Sequence, residues 1–140
     1  MSNPPTPSGY DRSYSVNCHT QLNCQITVGI DIHAGDVVRF VVRLHYSPPE
    51  DPGQWETIAR FDHNPNPRAG VGGHNIYDEG LHIDVEPPSG TQKIHPSHGP
   101  IPRDGGVVVR SCVQYLQQQA QYFVDVFKGN TYPGSSPGWP

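Results

Sequence analysis

Residues 24–46 read CQITVGIDIHAGDVVRFVVRLHY, and this stretch specifies most of the architecture. Apolar and polar side chains alternate over residues 24–32 and again over 37–46, which is the period of a strand with one buried face. The residues HAGD at 33–36 separate the two runs and supply a turn that includes glycine. The stretch therefore predicts a β-hairpin.

Three further strands and a helix follow along the chain. Residues 55–62 alternate, with Arg60 and Asp62 on one face and Phe61 on the other, and a fourth strand is predicted over 81–85. Residues 63–73 contain Pro and Gly and predict a loop. A fifth, short strand fits residues 91–95. From about 107 to 128 apolar residues recur every three or four positions, which predicts one helix that ends before Gly129.

These elements predict an α+β fold, an antiparallel β-meander of four to five strands packed on one C-terminal α-helix. Residues 1–12 are rich in Pro and Ser and predict a disordered N-terminal tail. Residues 13–129 predict a single α+β domain, and residues 130–140 a flexible C-terminal tail.

Charge and composition restrict the function classes. The chain has 140 residues and a formal net charge of -4, so it lacks the basic surplus of nonspecific nucleic-acid binders. It has no apolar run long enough for a spanning helix and no signal-peptide pattern, which predicts a cytoplasmic protein without membrane contact. Cys18, Cys24 and Cys112 lack a CxxC spacing and are expected to be reduced, with Cys112 in the core. A bridge between Cys18 and Cys24 remains an alternative if the protein is exported.

The face opposite the helix collects the side chains that could carry chemistry. Arginine recognises phosphate in a bidentate manner, and histidine transfers protons near neutral pH. We therefore interpret His82, Asp62 and Arg60 as candidate catalytic residues. Asp84 is a second carboxylate that could orient His82. The candidate phosphate-binding residues are Arg43 and Arg39. Such a set would suit binding or cleavage of a phosphodiester without a metal or other cofactor. The alternative is a solvated face with cross-strand ion pairs.

A metal site is a separate hypothesis. His95 and His98 have HxxH spacing, and His74 and His82 could approach them in space. Pro96 excludes a helical zinc motif, so the alternative is an ordinary histidine-rich loop.

The order of features resembles the TumE-type family of small toxin–antitoxin proteins, or a neighbouring uncharacterised family of the same layout. The similarity lies in Arg60-Phe61-Asp62-His63-Asn64, in Gly80-Leu81-His82-Ile83 with Gly72 and Gly73 upstream, and in a closing helix that carries Leu116, Phe123 and Phe127. The resemblance implies a growth-inhibiting toxin with a cognate antitoxin as its partner.

Three functional hypotheses follow. The first is a toxin-like enzyme that acts on RNA or a nucleotide without a metal, in which His82 serves as general acid or base. The second is a non-enzymatic module that binds a partner protein through its open sheet face or edge. The third is a histidine-rich metal-binding protein.

Overall fold

The computed structural model describes residues 3–18, 23–65, 75–96 and 101–133. Its elements, in chain order, are β1 (Arg12–Asn17), β2 (Cys24–His33), β3 (Asp36–Tyr46), β4 (Glu56–His63), α1 (Ile76–Glu79), β5 (Ile83–Val85), β6 (Gln92–Ile94), α2 (Gly105–Gln118) and α3 (Ala120–Lys128). Within these residues the six strands form one antiparallel sheet in the order β1-β2-β3-β4-β5-β6. The predicted α+β meander is confirmed, with more strands than the four to five expected.

The β2–β3 hairpin forms as its alternation predicts. Ala34 and Gly35 both have positive φ, of 50° and 84°, which the two-residue turn of a tight hairpin requires. Ile26, Val28, Val42 and Leu44 are fully buried on the face that contacts the helices. Full burial of each such side chain stabilises the fold by roughly 1.5–3 kcal/mol.

The C-terminal helical region consists of two helices rather than one. The backbone N–H of Gln119 still bonds to the carbonyl of Tyr115, but α2 ends at Gln118 and α3 begins at Ala120. This break lets α2 contact β2 and β3 while α3 contacts β4 and β5, so both helices follow the twisted sheet. The helical region also begins earlier than predicted, because the Asp104 side chain accepts hydrogen bonds from the first-turn N–H groups of Gly106 and Val107.

The sequence predicts a disordered tail over 1–12, whereas the structure places residues 3–11 against the sheet and begins β1 at Arg12. Pro4 and Pro7 are buried. The Asp11 side chain accepts a hydrogen bond from the N–H of Ile32 at 2.9 Å. A Cβ atom at Gly29 would lie 2.8 Å from the Tyr10 ring, so this glycine permits the close approach of the segment.

The connection between β4 and β5 contains the short helix α1, whereas the sequence predicts only a loop between these two strands. The Asn75 side chain accepts a hydrogen bond from the N–H of Tyr77, and the Glu79 side chain accepts one from the N–H of Asn75. Ile76 is fully buried and anchors this turn to the core. The three cysteines are buried thiols that form no disulfide in the structure, and Cys112 lies in the core as predicted.

Candidate functional site

The sheet surface opposite the helices, here called the polar face, carries a row of polar side chains across five strands. On neighbouring strands, Thr27 lies opposite Arg43, Arg43 opposite Arg60, Arg60 opposite Asp84, and Asp84 opposite Lys93. Because directly opposed residues of an antiparallel pair share a face, these five side chains are neighbours across the sheet. Strand order therefore brings Arg43 and Arg60 together, which the sequence alone left open.

Arg60 and Asp84 form an ion pair in this row. Arg60 Nη2 lies 2.9 Å from Asp84 Oδ2. The other carboxylate oxygen, Asp84 Oδ1, and the Arg60 Nε atom are buried and have no hydrogen-bond partner among the described residues. Part of this pair's hydrogen-bonding capacity is thus unused, and an unsatisfied buried group of this kind costs free energy.

Arg43 and Arg60 line a shallow groove of about 330 Å³ that we call the arginine groove. Its lining residues are Arg43, Thr57, Ala59, Arg60, Asp84, Glu86 and Thr91. Both carboxylate oxygens of Glu86 lie 2.8 Å from the Thr91 hydroxyl, so this acid already has a partner. Within the described part of the chain, Arg43 has neither an ion pair nor a hydrogen bond from its guanidinium.

Sequence reasoning missed Thr57, Glu86 and Thr91 as groove residues. Strict alternation predicts that Thr57 lies on the face of Phe61, away from Arg60. The register between β3 and β4 shifts next to His45, so that Thr57 pairs with His45 while Ile58 is buried. Such a β-bulge inserts one residue and reverses the alternation beyond it, and no residue pattern in β4 announces it.

Asp62, His82 and Asp84, the last of which also lines the groove, lie close together, and we call them the Asp–His cluster. One potential ligand atom from each lies within 4.8 Å of the other two. His82 and Asp84 are buried, and Asp62 is partly exposed. The structure thus brings together the predicted catalytic residues His82, Asp62 and Arg60, since Arg60 bonds to Asp84 of the same cluster.

Of the four histidines in the metal site predicted from the sequence, the structure describes His82 and His95. The rings of His82 and His95 meet edge to face with centroids 5.8 Å apart. His74 and His98 lie outside the described residues, so their approach to His82 stays a prediction. A further histidine, His63, is buried in the core, where its Nδ1 accepts a hydrogen bond from the N–H of Ile76.

Arg39, predicted to bind phosphate, contacts other groups. Its guanidinium lies 3.2 Å from Asp31, donates to the carbonyl of Gly9 at 3.1 Å and stacks over the Tyr10 ring at 3.9 Å. Since Arg39 holds the N-terminal segment on the sheet, it does not line the arginine groove.

His45 lies on the polar face next to Arg43 and connects three strands. Its Nε2 is 2.7 Å from the Thr27 hydroxyl, and its Nδ1 is 3.1 Å from the Thr57 hydroxyl. Burial, and secondly the positive charge of Arg43, lower the pKa of His45 from 6.5 to about 4. The imidazole is therefore neutral near pH 7, with one nitrogen donating and the other accepting.

This lowered pKa predicts a pH dependence of stability. In the unfolded chain His45 becomes protonated as the pH falls below 6.5, whereas in the folded chain it stays neutral down to about pH 4. Protonation therefore favours the unfolded chain, and the free energy of unfolding falls as the pH decreases through this window. We expect wild type to lose about 2 kcal/mol more unfolding free energy between pH 7 and pH 4 than His45→Gln, which does not titrate. Urea denaturation at several pH values checks this, and parallel pH profiles for the two proteins would contradict it.

The fold and this site define a small α+β protein with a polar sheet face that combines an arginine groove with an Asp–His cluster. Residues 11–132 match the family model described as a domain of unknown function, DUF7718, and the chain belongs to that family. No curated protein and no solved structure matches the chain. The family description names no activity, so the resemblance to TumE-type toxins stays a prediction. Among the described residues, the helices are too short or too polar to cross a membrane.

Proposed function

We propose that the arginine groove binds the phosphate group of a nucleotide or of RNA. The observation that carries this proposal is the direct cross-strand pairing of Arg43 with Arg60. Like charges at directly opposed positions destabilise a sheet unless a counter-charge relieves them. Asp84 bonds to Arg60 but leaves Arg43 without an anionic partner in the described chain. A bound phosphate would supply that partner.

The lining of the groove suits this ligand. A guanidinium forms charge-assisted, bidentate hydrogen bonds to phosphate oxygens, and Arg43 lines the groove without an ion pair among the described residues. The two carboxylates at the same surface already have partners, since Asp84 bonds to Arg60 and Glu86 accepts from the Thr91 hydroxyl. A volume of about 330 Å³ is at the lower end of the range for small-molecule sites. The net charge of -4 gives the chain no general attraction for nucleic acid, so recognition would depend on this local pair of arginines.

The Asp–His cluster supports a function beyond passive binding. It shares Asp84 with the groove, so His82 and Asp62 lie next to one of the residues that line the proposed phosphate site. Growth arrest, a cognate antitoxin and a cytoplasmic location are further predictions of the TumE-type resemblance, and the proposed phosphate binding does not depend on them.

The test is an NMR titration of the isotope-labelled protein with AMP and with a short single-stranded RNA, in buffer containing EDTA. We expect saturable shifts of the amides near Arg43, Thr57 and Thr91. Arg43→Gln should weaken binding by about tenfold or more, because a hydrogen bond to a charged group contributes about 1.5–3 kcal/mol. The control is Arg110→Gln, which removes the same charge from an exposed position on α2 and should leave the affinity unchanged.

Two results would overturn the proposal. One is the absence of saturable shifts with either ligand, which would favour the protein-interaction module. The other is equal weakening by Arg43→Gln and Arg110→Gln, which would show that only overall charge matters.

A further inference from the structure

We infer that the Asp–His cluster, formed by Asp62, His82 and Asp84, is a binding site for one divalent transition-metal ion such as Zn²⁺ or Mn²⁺. The inference goes beyond phosphate binding, because it concerns a different ligand and a different set of atoms. It also differs from the histidine set predicted from the sequence, with which it shares only His82.

The first argument is geometric. Asp62 lies on β4, Asp84 lies on the neighbouring β5, and His82 immediately precedes β5. Their potential ligand atoms lie within 4.8 Å of one another. Atoms bound to one Zn²⁺ ion at about 2.1 Å lie at most about 4.2 Å apart. An inward adjustment of less than about 1 Å would therefore bring all three onto one ion.

The second argument is the unsatisfied oxygen of Asp84. The side chain of Asp84 is only 10% exposed, and its Oδ2 bonds to Arg60. Its Oδ1 is buried and has no hydrogen-bond partner among the described residues. A buried carboxylate oxygen without a donor is costly, and coordination of a cation would satisfy it.

The third argument is the charge balance around Asp84. Asp62 and Asp84 contribute two carboxylates, while Arg60 is the cation bonded to Asp84. Lys93 is opposite Asp84 in the register with β6, but it is exposed and forms no ion pair with Asp84 in the described structure. Arg60 contacts Asp84 from one side, and a divalent cation would place positive charge directly between the two carboxylates.

The chemistry of the three side chains selects the class of metal. Two carboxylates and one imidazole form a mixed oxygen and nitrogen set, whereas Ca²⁺ and Mg²⁺ prefer oxygen ligands alone. Three protein ligands leave positions for water or for a phosphate oxygen, as in catalytic rather than structural sites. A metal bound through His82 would occupy the nitrogen lone pair needed for proton transfer, so His82 would be a ligand and not the general acid or base predicted from the sequence.

The test is calorimetric titration of the metal-stripped protein with Zn²⁺ in the absence of phosphate. We expect one saturable high-affinity site in wild type and at least about tenfold weaker binding in Asp62→Asn, which keeps the shape of the side chain but removes its charge. The matched control is Asp51→Asn in the exposed turn before β4, at the opposite end of this strand from Asp62. Asp51→Asn should bind Zn²⁺ like wild type.

A second measurement on the unaltered protein guards against misfolding of the variant. Substoichiometric Mn²⁺ should broaden the amide signals of Asp62, His82 and Asp84 before those of other residues. Broadening centred elsewhere would overturn the inference, and so would equal Zn²⁺ affinity in wild type and in folded Asp62→Asn. Since the nucleotide titration contains EDTA and the metal titration contains no phosphate, failure of one proposal is distinguishable from failure of the other.

Discussion

Replacing Phe61 with alanine should lower the free energy of unfolding by about 3–5 kcal/mol. Phe61 is fully buried on β4, and its ring meets the Tyr115 ring of α2 edge to face with centroids 5.9 Å apart. The substitution removes this contact and leaves a cavity between the sheet and the helices that the packed surroundings fill only partly. Chemical denaturation followed by circular dichroism measures the loss.

A suitable control is Tyr132→Ala, since the Tyr132 side chain is 83% exposed. It should change stability by less than about 0.5 kcal/mol. Losses of similar size in the two variants would contradict the assignment of Phe61 to the core. Phe61 also anchors the strand segment that carries Arg60 and Asp62, so its packing holds both the groove and the Asp–His cluster in place.

Gly105→Ala should destabilise the protein by about 2–3 kcal/mol or more. A Cβ atom at Gly105 would overlap the carbonyl oxygen of Val37 and would lie 3.0 Å from the Val37 Cβ. The obstructing atom belongs to the backbone of β3, which cannot move away without breaking the sheet. The first turn of α2 would therefore be displaced from the strand on which it packs.

The adjacent glycine is the matched control for this prediction. At Gly106 an added Cβ would meet only Asp104 Oδ1 at 3.3 Å and the Arg110 guanidinium at 3.8 Å. Because alanine is a better helix former than glycine, Gly106→Ala should be neutral or stabilising by up to about 1 kcal/mol. Equal unfolding midpoints for the two alanine variants would refute the close contact between α2 and β3.

Local periodicity allowed much of the architecture to be predicted. Alternation over 24–46 identified the hairpin and its buried face, and the helical period after 107 identified the layer that covers the sheet. Gly129 caps the last helix in the left-handed conformation, with φ of 79°, as its position predicts. The same alternation predicts Arg60, Asp62 and His82 on a common face, and the structure brings them together there. Parity holds for Arg60 and Asp62 because the β-bulge of β4 lies before Arg60.

Other features depend on contacts between distant parts of the chain. β1 is largely exposed and lacks an apolar run, so only its pairing with β2 identifies it as a strand. Arg39 and Arg43 look equivalent in the sequence, yet Arg39 holds residues 9–11 while Arg43 lines the groove. The β-bulge that turns Thr57 toward His45 has no local signal either.

The sequence by itself therefore determined the fold class and the set of chemically capable side chains on the polar face. Only the tertiary structure decided which of them meet: Arg43 opposite Arg60, Arg60 bonded to Asp84, and Asp84 beside Asp62 and His82. The physical reason is that successive side chains of a regular strand point to opposite faces of the sheet, so the face on which a side chain lies follows from local sequence. Its neighbours in space depend on strand order and register, which the packing of the whole core selects.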